Sequence, residues 1–167
     1  MPSIPTIRAM AVAVAALAFA IPAFAAGEHD HQHGHEDDHG GFAAGEPAAA
    51  DQADRTIRIT ADEYRYEPEK VTVARGAVVR FVITNRGSQK HSFVIGTPAE
   101  QKAHEKEMQG MAERGGGMDH DDPNAVTVAP GESEPLTWRF SEDSTVRYAC
   151  HIPGHYQAGM VGTVQIN

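Results

Sequence analysis

Apolar and polar residues alternate with a period of two over most of the chain after Thr56. The alternating apolar positions fall into short runs: Ile57 and Ile59; Val71 and Val73; Val79, Phe81 and Ile83; Val126 and Val128; Leu136, Trp138 and Phe140; Val146, Tyr148 and Cys150; Met160, Val164 and Ile166. A further apolar run begins at His91. Alternate residues of a strand share one face, so each run predicts a half-buried strand. Gly-containing turns separate the runs, and the pattern predicts an all-β Greek-key sandwich of seven to eight strands.

One segment, residues 97–124, interrupts this alternation. Charged helix formers extend from Pro98 to Arg114 and lead into the run Gly115-Gly116-Gly117. The segment predicts a short helix followed by a mobile loop. We therefore expect a β-domain over residues 55–167 that carries this helical insertion.

The first 26 residues are typical of a secretory signal peptide. Arg8 precedes an apolar run from Ala9 to Ala20, and Ala23-Phe24-Ala25 follows as a small-residue cleavage pattern. An uncleaved anchor is the alternative, although the run is short for a membrane span. We expect export, most simply to a bacterial periplasm, with no stable membrane insertion after cleavage.

Residues 27–54 form a second distinct segment, rich in histidine and acidic residues and without Lys or Arg. Five histidines lie within eleven residues: His29, His31, His33, His35 and His39. The composition predicts a disordered tail. Imidazoles bind Cu(II), Zn(II) and Ni(II), so the tail is interpreted as metal-binding, with a solubilising linker as the alternative. A disordered tail imposes no geometry, and its selectivity is left open.

The most informative stretch is CHIPGHYQAGM, which places Cys150, His155 and Met160 at equal intervals. A thiolate and a thioether combined with imidazole nitrogens favour copper, and two His, one Cys and a weak axial Met form an electron-transfer copper site. The second histidine is missing from the loop. His91 is the best candidate because it begins an apolar strand. A buried structural Cys with a core Met is the plain alternative, and structural zinc is weaker because zinc rarely takes Met.

The single cysteine supports metal binding, because an unpaired thiol in an oxidising compartment is protected when it is buried or bound to metal. The insertion carries a second set of candidate metal ligands. Met108 and Met111 would share one helix face and could form a Cu(I) site with Met118 and His120, or could simply pack the helix onto the sandwich. His151 follows Cys150 and is interpreted as exposed or as a neighbour of the site without a ligand role.

The C-terminal part, from Thr56 to Asn167, resembles the cupredoxin family of type 1 copper proteins in its Cys-x4-His-x4-Met motif and upstream histidine. The resemblance implies a Greek-key sandwich and one-electron copper chemistry. It also implies that Ser92 forms a hydrogen bond near the thiolate and that His155 is the exposed edge where electrons enter. Some members are copper-tolerance proteins with His-rich N-terminal tails and Met-containing insertions, and this chain looks like them.

Two functions follow as hypotheses. The first is copper handling that gives copper tolerance, and the second is a dedicated one-electron carrier between redox partners. A minimal carrier needs neither the His-rich tail nor the Met-bearing insertion, which favours the first. No pair of catalytic groups is evident, so we expect a non-enzyme. The net charge of -9 argues against nucleic acid. The expected partners are copper ions and a protein that exchanges electrons or copper, and a monomer is expected.

Overall fold

The computed structural model describes residues 41–115, 122–141 and 144–167. Within these ranges the chain forms ten β-strands, one α-helix and one 3₁₀ turn. In chain order they are β1 (Gly45–Pro47), the 3₁₀ turn (Ala50–Gln52), β2 (Arg55–Asp62), β3 (Arg65–Glu67), β4 (Lys70–Val73), β5 (Val78–Asn85), β6 (His91–Gly96), α1 (Pro98–Glu113), β7 (Ala125–Val128), β8 (Ser133–Phe140), β9 (Val146–Ala149) and β10 (Val161–Ile166).

The strands form two five-stranded sheets. The first has the order β1-β8-β5-β2-β3 and the second the order β4-β10-β9-β6-β7. Two pairs are parallel, β2 with β5 and β4 with β10, and the other pairs are antiparallel. The predicted all-β sandwich is therefore confirmed. The strand number was set too low, because β1 and β3 are only three residues long, which is too short for a repeated alternation.

One core joins the two sheets, built from the residues that alternate along the strands. Phe81 of β5 and Phe93 of β6 are fully buried, and their ring centroids are 5.4 Å apart. Tyr66 of β3 and Tyr148 of β9 continue this aromatic cluster, with centroids 5.3 Å apart. Cys150 and Met160 belong to the same buried cluster. The metal ligands predicted from the sequence thus lie at the edge of the hydrophobic core.

The domain begins earlier than the predicted boundary at residue 55. Ala44 is fully buried, Phe42 packs edge-on against Trp138 at 5.5 Å, and β1 pairs with β8. Gly45 has φ of 133°, and a Cβ there would collide with the backbone of β8. The disorder predicted for residues 27–54 is therefore wrong for residues 42–54. The five tail histidines and the signal segment lie outside the described residues.

The predicted helix in the insertion is confirmed as α1, which has sixteen residues. Thr97 caps its N-terminus by accepting a hydrogen bond from the Glu100 backbone, and Glu100 accepts one from the Thr97 backbone in return. Gln101 and Met108 are its buried residues, and it packs against β6 and β9. The predicted loop at residues 116–121 lies outside the described residues. In the described part of the chain, no helix has the length and apolar character that a membrane span requires.

Candidate metal centre

Three strand ends place the predicted ligands together at one end of the second sheet. His91 is the first residue of β6, Cys150 follows β9 and Met160 precedes β10. The loop between Cys150 and Met160 carries His155. The Cys150 backbone N–H donates to the Met160 carbonyl at 3.1 Å, and the Met160 N–H donates to the His155 carbonyl at 3.0 Å. These bonds close the loop, so its three candidate ligands have fixed relative positions.

The tight turns of this loop depend on glycine. Gly154 and Gly159 have φ angles of 89° and 94°, a left-handed conformation that side chains disfavour. Gly154 directly precedes His155 and allows the His155 N–H to donate to the Ile152 carbonyl at 2.9 Å. The Pro-Gly and Ala-Gly pairs of the sequence therefore turn the chain so that His155 faces Cys150.

Three donor atoms converge on one point. The Nδ1 atoms of His91 and His155 are 3.2 Å apart, and they lie 3.9 Å and 3.4 Å from the Cys150 Sγ atom. A point equidistant from these three atoms is about 2 Å from each, close to the length of a metal–nitrogen bond. Among the described residues, these three are the one group of at least three His, Cys, Asp or Glu residues with such closely spaced ligand atoms.

The fourth predicted ligand, Met160, is fully buried, as are His91 and Cys150, and His155 is only 2% exposed. Its backbone contacts to Cys150 and His155 hold it next to the other three residues. Two imidazoles, a thiol and a thioether form a donor set that binds copper in preference to hard cations. The residues that are present therefore fit copper.

Burial controls the protonation of the three donors. It lowers the pKa of His91 and His155, and the neighbouring His155 lowers the pKa of His91 further. Burial also raises the pKa of the Cys150 thiol, although hydrogen bonds from the Ile152 and Ser92 backbones oppose this effect. The imidazole nitrogens are thus available as neutral ligands near neutral pH, whereas the thiol gives up its proton when a metal binds.

The Cys150 sulfur is surrounded by hydrogen-bond donors. The Ser92 N–H lies 3.4 Å from Sγ and the Ser92 hydroxyl 3.8 Å from it. This is the position that the family resemblance assigned to Ser92. The Tyr66 hydroxyl lies beside the sulfur and donates to the Ser92 carbonyl. Burial, and after it the charge of the neighbouring Cys150, raises the pKa of Tyr66 well above its usual value. Tyr66 was not foreseen, because only the packing of β3 brings it to the site.

A buried asparagine fixes the loop that covers His91. The Asn85 side chain donates to the Gln89 carbonyl at 2.7 Å and to the Val128 carbonyl at 2.9 Å, and it accepts from the Gly87 N–H at 2.8 Å. A Cβ at Gly87 would lie 2.8 Å from the outer nitrogen of His91, Nε2. Glycine at position 87 therefore leaves the space that the His91 ring occupies.

The predicted exposure of His155 is wrong. The exposed side chain next to it is Tyr64, which lies in the turn between β2 and β3 and is 50% exposed. Its ring packs edge-on against the His155 ring with centroids 5.1 Å apart. Glu63 braces the same turn by accepting a hydrogen bond from the Ser88 N–H at 2.9 Å. Tyr64, an aromatic residue in this turn, was the sequence signal that could have predicted a cover over His155.

His151 is buried, although one of its two interpretations placed it at the surface. It is 2% exposed, and its ring contacts two residues of α1: Nδ1 lies 2.7 Å from Glu105 Oε2, and Nε2 lies 2.7 Å from Gln101 Oε1. The ring stacks on Tyr156 at 4.8 Å. An exposed His151 is therefore excluded. Gln101 and Glu105 were not foreseen as neighbours of His151, because they lie about 50 residues away along the chain.

The methionines of the insertion are only partly described. Met108 is 3% exposed and lies in a cleft between α1 and the ligand loop, and Met111 is half-buried. The burial of Met108 favours the packing interpretation. Met118 and His120 lie outside the described residues, so the accessory Cu(I) site stays a prediction.

Comparisons with known proteins show what the chain is similar to. The family model described as copper binding proteins of the plastocyanin/azurin family matches residues 53–167. Two similar proteins are each named copper-resistant cuproprotein CopI. The one from Rubrivivax gelatinosus is 46% identical over 73% of this chain and 72% of its own length, and the one from Pseudomonas aeruginosa is 39% identical over 75% and 83%.

Solved structures of auracyanins share the fold. Auracyanin B superposes with a TM-score of 0.61 at 25% identity over 74% of this chain and 96% of its own. The dithionite-reduced auracyanin of Roseiflexus castenholzii superposes with a TM-score of 0.56 at 27% identity, covering 69% and 98%.

Proposed function

Because the chain belongs to the plastocyanin/azurin family of copper-binding proteins, we propose that it holds copper at His91, Cys150, His155 and Met160 and serves in copper tolerance. The observation that carries the proposal is the convergence of two imidazole nitrogens and one buried thiol on a single point about 2 Å from each. The names of the CopI relatives support the tolerance role.

Copper supplies one-electron chemistry at such a site by cycling between Cu(II) and Cu(I). The protein contributes a fixed arrangement of donors. His91 is held by the strand and by the Asn85 loop, and Cys150 and His155 are held by the closed ligand loop. Hydrogen bonds from Ser92 to the sulfur withdraw charge from it, which favours the reduced state. The Tyr64 ring packs against the imidazole of His155 and keeps water from it.

Copper tolerance requires copper to be bound or oxidised where it arrives. We therefore propose that the protein acts in the periplasm. The histidines of the N-terminal segment would collect the ion, and the folded domain would exchange electrons with it. The proposal is for metal binding and electron exchange, and involves no turnover of an organic substrate.

A dedicated one-electron carrier is the second candidate. The enclosed and rigid ligand set favours it, because such a site reorganises little during electron transfer. The His-rich segment distinguishes the two candidate functions, since an electron carrier requires only the core copper site.

A copper titration of the chain that begins at Gly27 tests the proposal, with the visible spectrum and the bound copper measured together. We expect an intense thiolate-to-copper band that saturates at about one copper per chain, and further colourless copper on the tail. Cys150→Ala is expected to remove the band and to leave the colourless copper. The absence of a band in the wild-type protein would contradict the copper site.

Deletion of residues 27–40 separates the two functions. The deletion stops before Phe42 and Ala44 because these residues pack against the domain. We expect the band to persist, the bound copper to fall to about one per chain, and growth in excess copper to decrease. Unchanged stoichiometry and growth would favour the electron carrier.

A further inference from the structure

We propose that α1 positions the copper centre: Gln101 and Glu105 hold the His151 side chain, and His151 in turn orients the Ser92 hydroxyl toward the Cys150 sulfur. The proposal rests on the proposed function, because it concerns the same site. It assigns the insertion a role in the redox properties of the protein that does not depend on its methionines.

Gln101 connects the helix to both ligand-bearing strands. It is fully buried, and its amide nitrogen donates to the Val94 carbonyl of β6 at 2.8 Å and to the Arg147 carbonyl of β9 at 3.2 Å. β6 begins at His91, and Cys150 follows β9. Because both amide hydrogens are used, the amide oxygen faces His151 Nε2 at 2.7 Å as an acceptor.

Glu105 lies one helical turn further along the same face. Its Oε2 atom is 2.7 Å from His151 Nδ1, and its Oε1 atom accepts a hydrogen bond from Gln157 in the ligand loop. One carboxylate therefore contacts the loop on both sides of His155. Oxygen atoms lie within hydrogen-bond distance of both ring nitrogens, and the Tyr156 ring stacks on the imidazole, so the His151 ring is confined to a single orientation.

The backbone of His151 passes this constraint to the sulfur. Its N–H donates to the Ser92 Oγ atom at 2.8 Å, and that Oγ atom lies 3.8 Å from the Cys150 Sγ atom. Because the Ser92 oxygen accepts from His151, its own hydrogen is directed elsewhere, and Sγ is the neighbouring acceptor. A hydrogen bond to the thiolate tunes the metal potential, so side chains on α1 act on copper through His151 and Ser92.

Hydrogen exchange of the metal-free protein tests the structural step. In Glu105→Ala and in Gln101→Leu, we expect the His151 amide to lose about tenfold or more of its protection, while the Phe81 amide of the core keeps its protection. Glu107→Ala is the matched control, because Glu107 is an exposed glutamate on the same helix. Equal protection of the His151 amide in Glu105→Ala and Glu107→Ala would overturn the proposal. Equal losses at His151 and Phe81 would do so too, because they indicate a general loss of stability.

The reduction potential of the copper-loaded protein tests the functional step. We expect Glu105→Ala to lower the potential, because the hydrogen bond that withdraws charge from the sulfur is weakened, and Glu107→Ala to leave it unchanged. In a Ser92→Ala background, Glu105→Ala is expected to have no further effect, since Ser92 carries the coupling. An equal decrease with and without Ser92 would contradict this route.

These two measurements separate the proposal from the function on which it rests. A wild-type protein that shows no copper band contradicts the proposed function, and the His151 amide still reports whether α1 holds the ligand loop. A normal band with a potential that is insensitive to Glu105 contradicts the positioning role alone.

Discussion

The centre of the sandwich and its ligand-bearing end are stabilised in different ways. In the centre, Phe81, Phe93 and Trp138 are fully buried apolar side chains that follow the alternation of the strands. At the ligand-bearing end, the buried residues Asn85, Gln101 and the histidines are polar, and hydrogen bonds between distant segments hold them. The difference indicates that the apolar core supplies most of the stability, whereas the polar end supplies the geometry. Substitutions in the two regions should therefore affect different measurements.

Trp138→Ala is expected to have the largest effect. It removes a fully buried ring that contacts Phe42, so it should lower the free energy of unfolding by about 3–5 kcal/mol. Urea denaturation measures the loss. The copper spectrum of the remaining folded protein should be unchanged, because Trp138 lies away from the ligands. A changed copper spectrum with unchanged stability would contradict the view that the apolar core supplies stability and the polar end supplies the ligand geometry.

Asn85→Ala changes the polar end. It leaves two backbone carbonyls and one N–H without their side-chain partner, so we expect a loss of about 1–3 kcal/mol. In contrast to Trp138→Ala, it should also shift the copper absorption band, since the loop over His91 is released. Thr84→Ala, an exposed contact on the same strand, is the control. An unaltered band would show that the loop does not position His91.

The pH dependence of the metal-free protein is a smaller effect. Because burial lowers the pKa of His91 and His155, the folded protein binds fewer protons than the unfolded chain below the ordinary histidine pKa of about 6.5. Stability is thus complete above this pH and decreases as the pH falls below it. Urea midpoints between pH 7.5 and 5 measure the decrease. It should be weaker in His155→Asn, and a midpoint that rises on acidification would contradict the assignment.

Tyr64→Ala should change stability least. Tyr64 is half exposed, so its removal is expected to change the free energy of unfolding by no more than about 0.5 kcal/mol. It uncovers His155, so a chelator should remove copper several-fold faster. Tyr64→Phe keeps the ring and should behave like the wild type. Equal rates in the alanine and phenylalanine variants would show that the ring does not cover the site.

The sequence predicted the parts of the fold that obey a local rule. Phe81 and Ile83 alternate because one face of β5 is buried, so the strands that build the core could be found from their period. The fixed spacing of Cys150, His155 and Met160 pointed to the ligand loop for a chemical reason. β1 has no such signal, because Gly45–Pro47 pairs through its backbone, and the domain boundary was placed too late for the same reason.

Contacts between distant segments could not be predicted in this way. Glu105 and His151 are 46 residues apart, and neither residue alone carries a signal of the link. The burial of His155 was missed because it depends on Tyr64, which belongs to a turn of the other sheet. Family resemblance assigned Ser92 from its place beside His91, but it did not predict that α1 contacts His151.

X-ray absorption spectroscopy of the protein loaded with one copper tests the central claim most directly. We expect two nitrogen neighbours at about 2 Å and one short sulfur neighbour from Cys150, with Met160 as a weaker and longer sulfur contact, and we expect the short sulfur neighbour to be absent in Cys150→Ala. A coordination shell of nitrogen and oxygen only, identical in the wild-type protein and in Cys150→Ala, would contradict it.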